Sequence, residues 1–118
     1  MKLSKQQSLF TSDISKLITF ANIRGHDLAF REVQRTQEQA DLYAKQGKGI
    51  HNSLHLKCLA ADFALYKDGT YLVKHSDYQF LGDYWESLSP LNRWGGNFTK
   101  HGGKIDDADH FQRNPEQE

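Results

Sequence analysis

The sequence predicts a small α+β domain in which packed helices cover a small antiparallel sheet, and three observations carry that expectation. Near the N-terminus, Leu9, Phe10, Ile14, Leu17, Ile18 and Ala21 recur at three- and four-residue steps, the period of an amphipathic helix. Further on, Leu59, Ala61, Phe63 and Leu65 alternate with Ala60, Asp62 and Ala64, and Lys67-Asp68-Gly69-Thr70 follows, the pattern of a strand entering a hairpin. The length of 118 residues, with 37% hydrophobic and 12% aromatic residues, suits one domain spanning 1–118 and leaves too little chain for a second core of ordinary size.

The elements follow in order. A first helix runs from Ser4 to Arg24, with Gly25 as its stop. The stretch LAFREV, Leu28 to Val33, reads as a strand with some inversion of its pattern. Thr36 caps a second helix through Lys45, with Gln39 at the capping-box position and Gly47 just past the end. Residues 46–53 combine two glycines with Asn and Ser and read as a loop. The strand around Phe63 turns into Tyr71–Val73, and Asp77 to Leu88 forms a third helix ended near Pro90. RWGGNF and ADHFQ are short candidate strands joined by a glycine-rich loop at His101 to Lys104, and residues 113–118 are expected to form a flexible tail.

Composition excludes several classes of function. Fifteen basic residues balance fifteen acidic ones, so no global cationic field draws the chain to phosphate backbones, and no nucleic-acid partner is expected. Residues 1–50 hold eight basic and five acidic residues, net +3, and residues 51–118 hold seven and ten, net −3, an asymmetry of solvated faces. Cys58 is the only cysteine, which removes an intrachain disulfide framework and any multi-cysteine zinc knuckle. No apolar run approaches the roughly 20 residues of a bilayer span, and MKLSKQQSLF lacks a signal-peptide core. The expectation is a cytoplasmically made chain without signal peptide or membrane insertion.

The chemistry concentrates in two local patterns among six histidines: Ser53-Leu-His55 followed by Asp62, and Asp107-Ala-Asp-His110. Asp62 interrupts an apolar strand, where a lone carboxylate is costly unless paired or bound to a metal. Seven residues of extended strand would part His55 from Asp62 by about 23 Å and point them to opposite faces. His55 must therefore sit on a segment that folds back. A His/Asp/His set with one open position is the ligand chemistry of catalytic zinc, which lowers the pKa of a bound water to about 7. Such a water needs a proton acceptor that is not itself a ligand. On composition alone, Asp107, Asp106 and Asp109 compete for that role.

These residues carry a resemblance. Ser53-x-His55-x-x-Cys58-x-Ala60-x-Asp62, then Trp94-Gly95-Gly96, then Asp107-x-x-His110-Phe111 resembles the signature of the zinc D-alanyl-D-alanine carboxypeptidase and L-alanyl-D-glutamate peptidase family. Upstream, Arg35-Thr36-x-x-x-Gln39-x-x-x-Tyr43-x-x-x-Gly47 resembles that family's Arg-containing helix start. The match runs from Val33 to Phe111, with two departures: Cys58 stands where the family has glycine, and Asp107 where many members have Glu. The shorter acid occurs in phage-type members.

The resemblance implies a fold shared with the hedgehog signalling domain. It also implies one zinc ion per chain held by His55, Asp62 and His110, with Asp107 as the catalytic acid/base. Arg35 becomes a contact to substrate or oxyanion, with Gln39 and Ser53 on the substrate side. The implied partner is the peptidoglycan stem peptide and the implied activity hydrolysis of its L-alanyl–D-glutamate bond. A monomeric phage or prophage endolysin is expected, reaching the wall after holin-type release. The alternatives are a D-alanyl-D-alanine carboxypeptidase or dipeptidase, and a non-catalytic phage structural or wall-binding protein. Plainer roles accompany these: Cys58 as a small buried hydrophobe, Arg35 as an ion-pair partner of Glu38, Trp94-Gly95-Gly96 as packing with a tight backbone approach, and His26, His51, His75 and His101 as surface or loop residues.

Overall fold

The computed structural model describes residues 1–48, 53–100, 103–104 and 106–115. His51, His101 and the end of the expected tail lie outside the described residues. Helix α1 (Leu3–Ile23) buries Phe10, Ile14, Leu17 and Ala21, four residues of the predicted stripe. It ends where Gly25 takes φ +80°, a left-handed conformation that glycine adopts without steric cost. Strand β1 (His26–Phe30) follows, then α2 (Gln37–Lys45), where Thr36 Oγ1 accepts the Gln39 N–H. After a 3-10 turn at Leu54–Lys57 come β2 (Ala60–Lys67) and β3 (Thr70–Leu72), a hairpin closed by Asp68 and Gly69 at φ +50° and +77°. Two positive φ values in a two-residue loop match the twist of the flanking strands.

Helix α3 (His75–Leu88) begins two residues before Asp77, because Asp77 serves the cap: its Oδ2 accepts the Lys74 N–H at 3.0 Å. Strand β4 (Asn92–Trp94), the short pair β5 (Thr99–Lys100) and β6 (Gly103–Lys104), and β7 (His110–Arg113) complete the chain. The main sheet is antiparallel, in the order β1-β2-β7-β4 with β3 also beside β2. Small helices on a small antiparallel sheet make this an α+β fold, as the sequence predicts. Among the described residues, no helix is long and apolar enough to cross a membrane.

Strand β2 joins the two halves of that sheet. Phe63–Lys67 pair with β1, while Ala60–Asp62 pair with β7. Its alternation sends Ala61, Phe63 and Leu65 into a core shared with Phe10, Leu17, Trp85, Trp94 and Phe111. Aromatic edges meet there, Phe10 against Trp85 at 5.6 Å and Phe63 against Phe111 at 6.0 Å between centroids. Asp62, Ala64 and Tyr66 take the other face.

Three expectations need correction. The strand LAFREV stops at Phe30, because Arg31 N–H donates to Asp62 O while Asp62 N–H donates to Glu32 O, both at 2.8 Å. Two residues oppose one, a bulge that ends the regular ladder and turns Glu32 and Val33 aside. Arg113 does not belong to a flexible tail. It is the last residue of β7, 5% exposed, and its Nε donates to Gln6 Oε1 of α1 at 2.7 Å. RWGGNF is half strand, since Gly95–Asn97 form a 3-10 turn. The Trp94 indole is buried and donates to Ala108 O at 2.7 Å, and a Cβ on Gly82 or Gly96 would collide with it. A Cβ on Gly95 would strike the carbonyl oxygen of Asp107. The expected tight backbone approach is there, and it seats the turn that carries Asp107.

Candidate metal centre

The site grows from the middle of β2. Asp62 and His110 are register partners across β2 and β7. Phe63 N–H donates to Asp109 O, so the adjoining pair carries the ladder bond and Asp62–His110 is the non-hydrogen-bonded pair, where side chains stand closest. His110 Nδ1 lies 2.9 Å from Asp62 Oδ1. The third member arrives from the chain's fold-back. Ser53 Oγ accepts the His55 N–H at 3.2 Å and caps the 3-10 turn, which brings His55 Nε2 to 3.4 Å from Asp62 Oδ2.

Cys58 closes that turn at φ 53°, ψ 41°, the left-handed region that non-glycine residues adopt at a cost. A glycine would take this conformation without steric cost, and Cys58 meets it under strain. It is also partly exposed and not the buried hydrophobe expected from its neighbours: it falls on the left-handed residue that closes the turn, outside the strand that follows.

His55, Asp62 and His110 each offer one donor atom, all within 4.8 Å of one another, and together they could hold a metal ion. His55 is 2% exposed. Its Nδ1 lies 3.0 Å from Val33 O; a carbonyl only accepts, so Nδ1 carries a proton, and Nε2 is the nitrogen that faces Asp62. His110 is arranged the other way round, with Nε2 2.8 Å from Gln112 Oε1 and Nδ1 toward Asp62. Two imidazoles and a carboxylate with the remote ring nitrogens already committed suit zinc, whose histidine ligands typically donate their other N–H to a fixed acceptor.

Compared by sequence, the chain matches no protein-family model and no curated protein. Its fold is shared with two solved peptidases. One is the Serratia marcescens L-Ala D-Glu endopeptidase ChiX, with TM-score 0.69 and 18% identity over 87% of this chain and 79% of that one. The other is the vancomycin-resistance D,D-pentapeptidase VanY from a VanB-type cassette, a mutant in complex with Zn(II), with TM-score 0.58 and 16% identity over 88% and 70%. The likeness to ChiX and VanY is one of fold.

Electrostatics bind the three residues in pairs. Burial works to raise the Asp62 carboxyl, but hydrogen bonds and charge from His110 and His55 outweigh it and bring the pKa to about 2. Burial works to lower His110, and there the Asp62 and Gln112 hydrogen bonds, with the charges of Asp62 and Asp107, carry it above its ordinary value. The acids of the 106–109 turn separate. Asp107 stands 3.9 Å from His110 Nδ1 with its side chain 46% exposed, beside the three donors and open to solvent. Asp106 pairs with His75 at 3.1 Å. Asp109 is pushed up to about 6 by burial, by the charges of Asp62 and Asp107 and by a hydrogen bond with Asp107.

The upstream residues divide. Arg35 donates its backbone N–H to His55 O, and its guanidinium pairs with Glu32, not with Glu38. The bulge at Arg31–Glu32 explains the partner: it turns Glu32 to within 3.6 Å of His55 Nδ1, where Arg35 meets it. Gln39 sits in the first turn of α2 and is not brought into the three-residue group. Ser53 Oγ is committed to the His55 turn. Glu32, Val33, Gln112 and Asn114 are residues that motif reading misses. Only Gln112 carried a signal, lying two positions from His110 on a strand and so on the same face.

Proposed function

We propose that the protein is a zinc-dependent peptidase of peptidoglycan stem peptides that cleaves the L-alanyl–D-glutamate bond as a monomeric, endolysin-type lytic enzyme acting on the cell wall. The observation that carries this reading is the His55–Asp62–His110 group, with Asp107 beside it, on a fold shared with ChiX and VanY. The fold likeness to ChiX, an L-Ala D-Glu endopeptidase, supports the choice of bond. VanY keeps the D-alanyl carboxypeptidase reading as the alternative.

His55 Nε2, Asp62 and His110 Nδ1 would hold the ion. When bound, zinc supplies a Lewis acid that polarises a carbonyl and makes water a nucleophile near neutral pH. Asp107 takes the proton from the attacking water and returns it to the leaving amine nitrogen, work that suits a carboxylate outside the donor set and open to substrate. Val33 O and Gln112 hold the imidazole planes. Arg35 is assigned the contact to substrate or to the carbonyl oxygen as it turns anionic, a role that requires its guanidinium to leave Glu32, and Ser53 and Gln39 are assigned to the substrate side.

Mass spectrometry of purified peptidoglycan treated with zinc-loaded protein tests the reading. New D-glutamate amino termini are expected, with falling turbidity of permeabilised Gram-negative cells. Free D-alanine with an intact wall would move the protein to the carboxypeptidase alternative. No product in the presence of bound zinc would leave a wall-binding or structural protein.

A further inference from the structure

The bulge opposite Asp62 sends two neighbouring charges different ways. Glu32 turns toward His55 and offsets the guanidinium of Arg35. Arg31 stays exposed, and its Nη2 donates to Tyr66 Oη at 2.9 Å. Among the described residues, Arg31 forms no ion pair. Residue 31 lies beside Asp62, to whose carbonyl its N–H donates. Tyr66 stands four residues further along β2, on the Asp62 face and about 13 Å away along the strand. The side-chain bond joining Arg31 to Tyr66 therefore spans the position of Ala64, which is fully buried although it lies outside the core cluster. Tyr71, the register partner of Tyr66, brings its half-exposed ring to 5.4 Å from the Tyr66 ring. The sheet face that holds the metal donors thus continues into a patch with an uncompensated positive charge.

A guanidinium offers five N–H donors in a planar fork that matches a carboxylate, and the Tyr66 bond uses one of them. Tyr66 Oη accepts that bond, so its own proton is left to donate to the same anion. We infer that Arg31, steadied by Tyr66 and walled by Tyr71, is a subsite for a free carboxylate of the stem peptide on the leaving-group side of the cut bond. The side follows from the chemistry of the substrate: beyond the alanyl residue the stem leads to a sugar, whereas its acidic residues begin with D-glutamate. The inference rests on the peptidase reading above. It adds a second cation to the substrate side, one that needs no release from an acid as Arg35 does from Glu32.

The dipeptide γ-D-glutamyl-L-lysine, the leaving-group half of a stem tripeptide, tests the subsite. Its binding to the full chain, zinc-loaded and chelated, is followed by NMR titration beside two amidated forms, one blocked at the α-carboxyl of D-glutamate and one at the C-terminus. The parent is expected to bind one amidated form about tenfold more weakly than the free acid, the worth of a charge-assisted hydrogen bond. Which form it is tells whether the recognised group sits on D-glutamate or on the next residue. Arg31→Gln should lose the same tenfold for the free acid and treat the three peptides alike, with Arg31→Lys between; the backbone bond to Asp62 O survives both changes. A parent that binds all three peptides equally would overturn the inference, as would an Arg31→Gln protein with the parental preference. The dipeptide lacks the alanyl–glutamyl bond, so binding is read apart from hydrolysis. A zinc-loaded parent that keeps the preference and leaves peptidoglycan uncut would retire the peptidase reading alone.

Discussion

Asp62 and His110 face each other across β2 and β7 as a non-hydrogen-bonded pair, with Nδ1 2.9 Å from Oδ1. The side-chain contact therefore draws on no backbone bond: Asp62 N–H and C=O are spent on Glu32 and Arg31 at the opposite edge of β2. Replacing His55, Asp62 or His110 with Ala should leave the strand pairing in place and strip the ion. Each variant is expected to lose more than the roughly 100-fold in zinc affinity seen for outer-partner changes, read by elemental analysis after gel filtration. Full occupancy in all three would dismiss the assignment.

Asp107 should separate chemistry from metal binding, since it stands outside the three-donor group and open to solvent. Asp107→Asn is expected to keep its zinc and lose about 10²- to 10⁴-fold in turnover. Loss of zinc along with activity would make Asp107 a ligand, and parental activity would pass the role to Asp106 or Asp109.

With the ion removed, stability should peak in mild acid. Asp62, lowered from 3.8 to about 2, adds stability that is complete above 3.8 and disappears as the pH falls through 2. His110, raised above 6.5, adds stability that is complete below 6.5 and disappears as the pH climbs through its folded value. Asp109 acts with the opposite sign to Asp62: raised from 3.8 to about 6, it costs stability as it ionises across that interval and in full above it. Thermal melts of the chelated protein should therefore be highest between 3.8 and 6. Added zinc should raise the melting temperature more at pH 8 than at pH 5, because protons compete for its ligands. A chelated protein most stable at pH 8 would contradict this.

Cys58→Gly should stabilise the fold. The left-handed conformation costs a side-chain-bearing residue about 1–2 kcal/mol, and the extra backbone freedom of glycine when unfolded returns about 0.5–1 kcal/mol of that. A net gain of about 0.5–1 kcal/mol is expected in denaturant unfolding, with zinc affinity unchanged or improved because His55 rides on the same turn. A destabilised Cys58→Gly would show that the thiol makes a contact worth more than the strain.

Most elements were legible because their signals are local. Thr36, Gly25 and the Asp68–Gly69 turn act within a few residues of themselves, and the alternation of β2 already placed Asp62 on the face away from Phe63. That His55, Asp62 and His110 come together was legible through the spacing of the signature. What the sequence hid depends on partners far along the chain. Arg113 reads as a solvated charge until Gln6, 107 residues away, accepts its guanidinium. Glu32 reads as the end of a strand until the bulge opposite Asp62 turns it toward His55. Val33 acts through its carbonyl, which every residue has, so no side-chain pattern could single it out.

One cysteine leaves this chain with no covalent tie of its own, and the centre supplies the geometry of one. Its donors sit on the turn at 54–57, on β2 and on β7, and 48 residues of chain separate Asp62 from His110. An ion shared among them closes that long loop and the shorter one from His55, restricting the unfolded chain as a staple does. The ion would then govern how long the protein survives among proteases, and a chelator would expose the chain to digestion at the concentration at which it strips the ion.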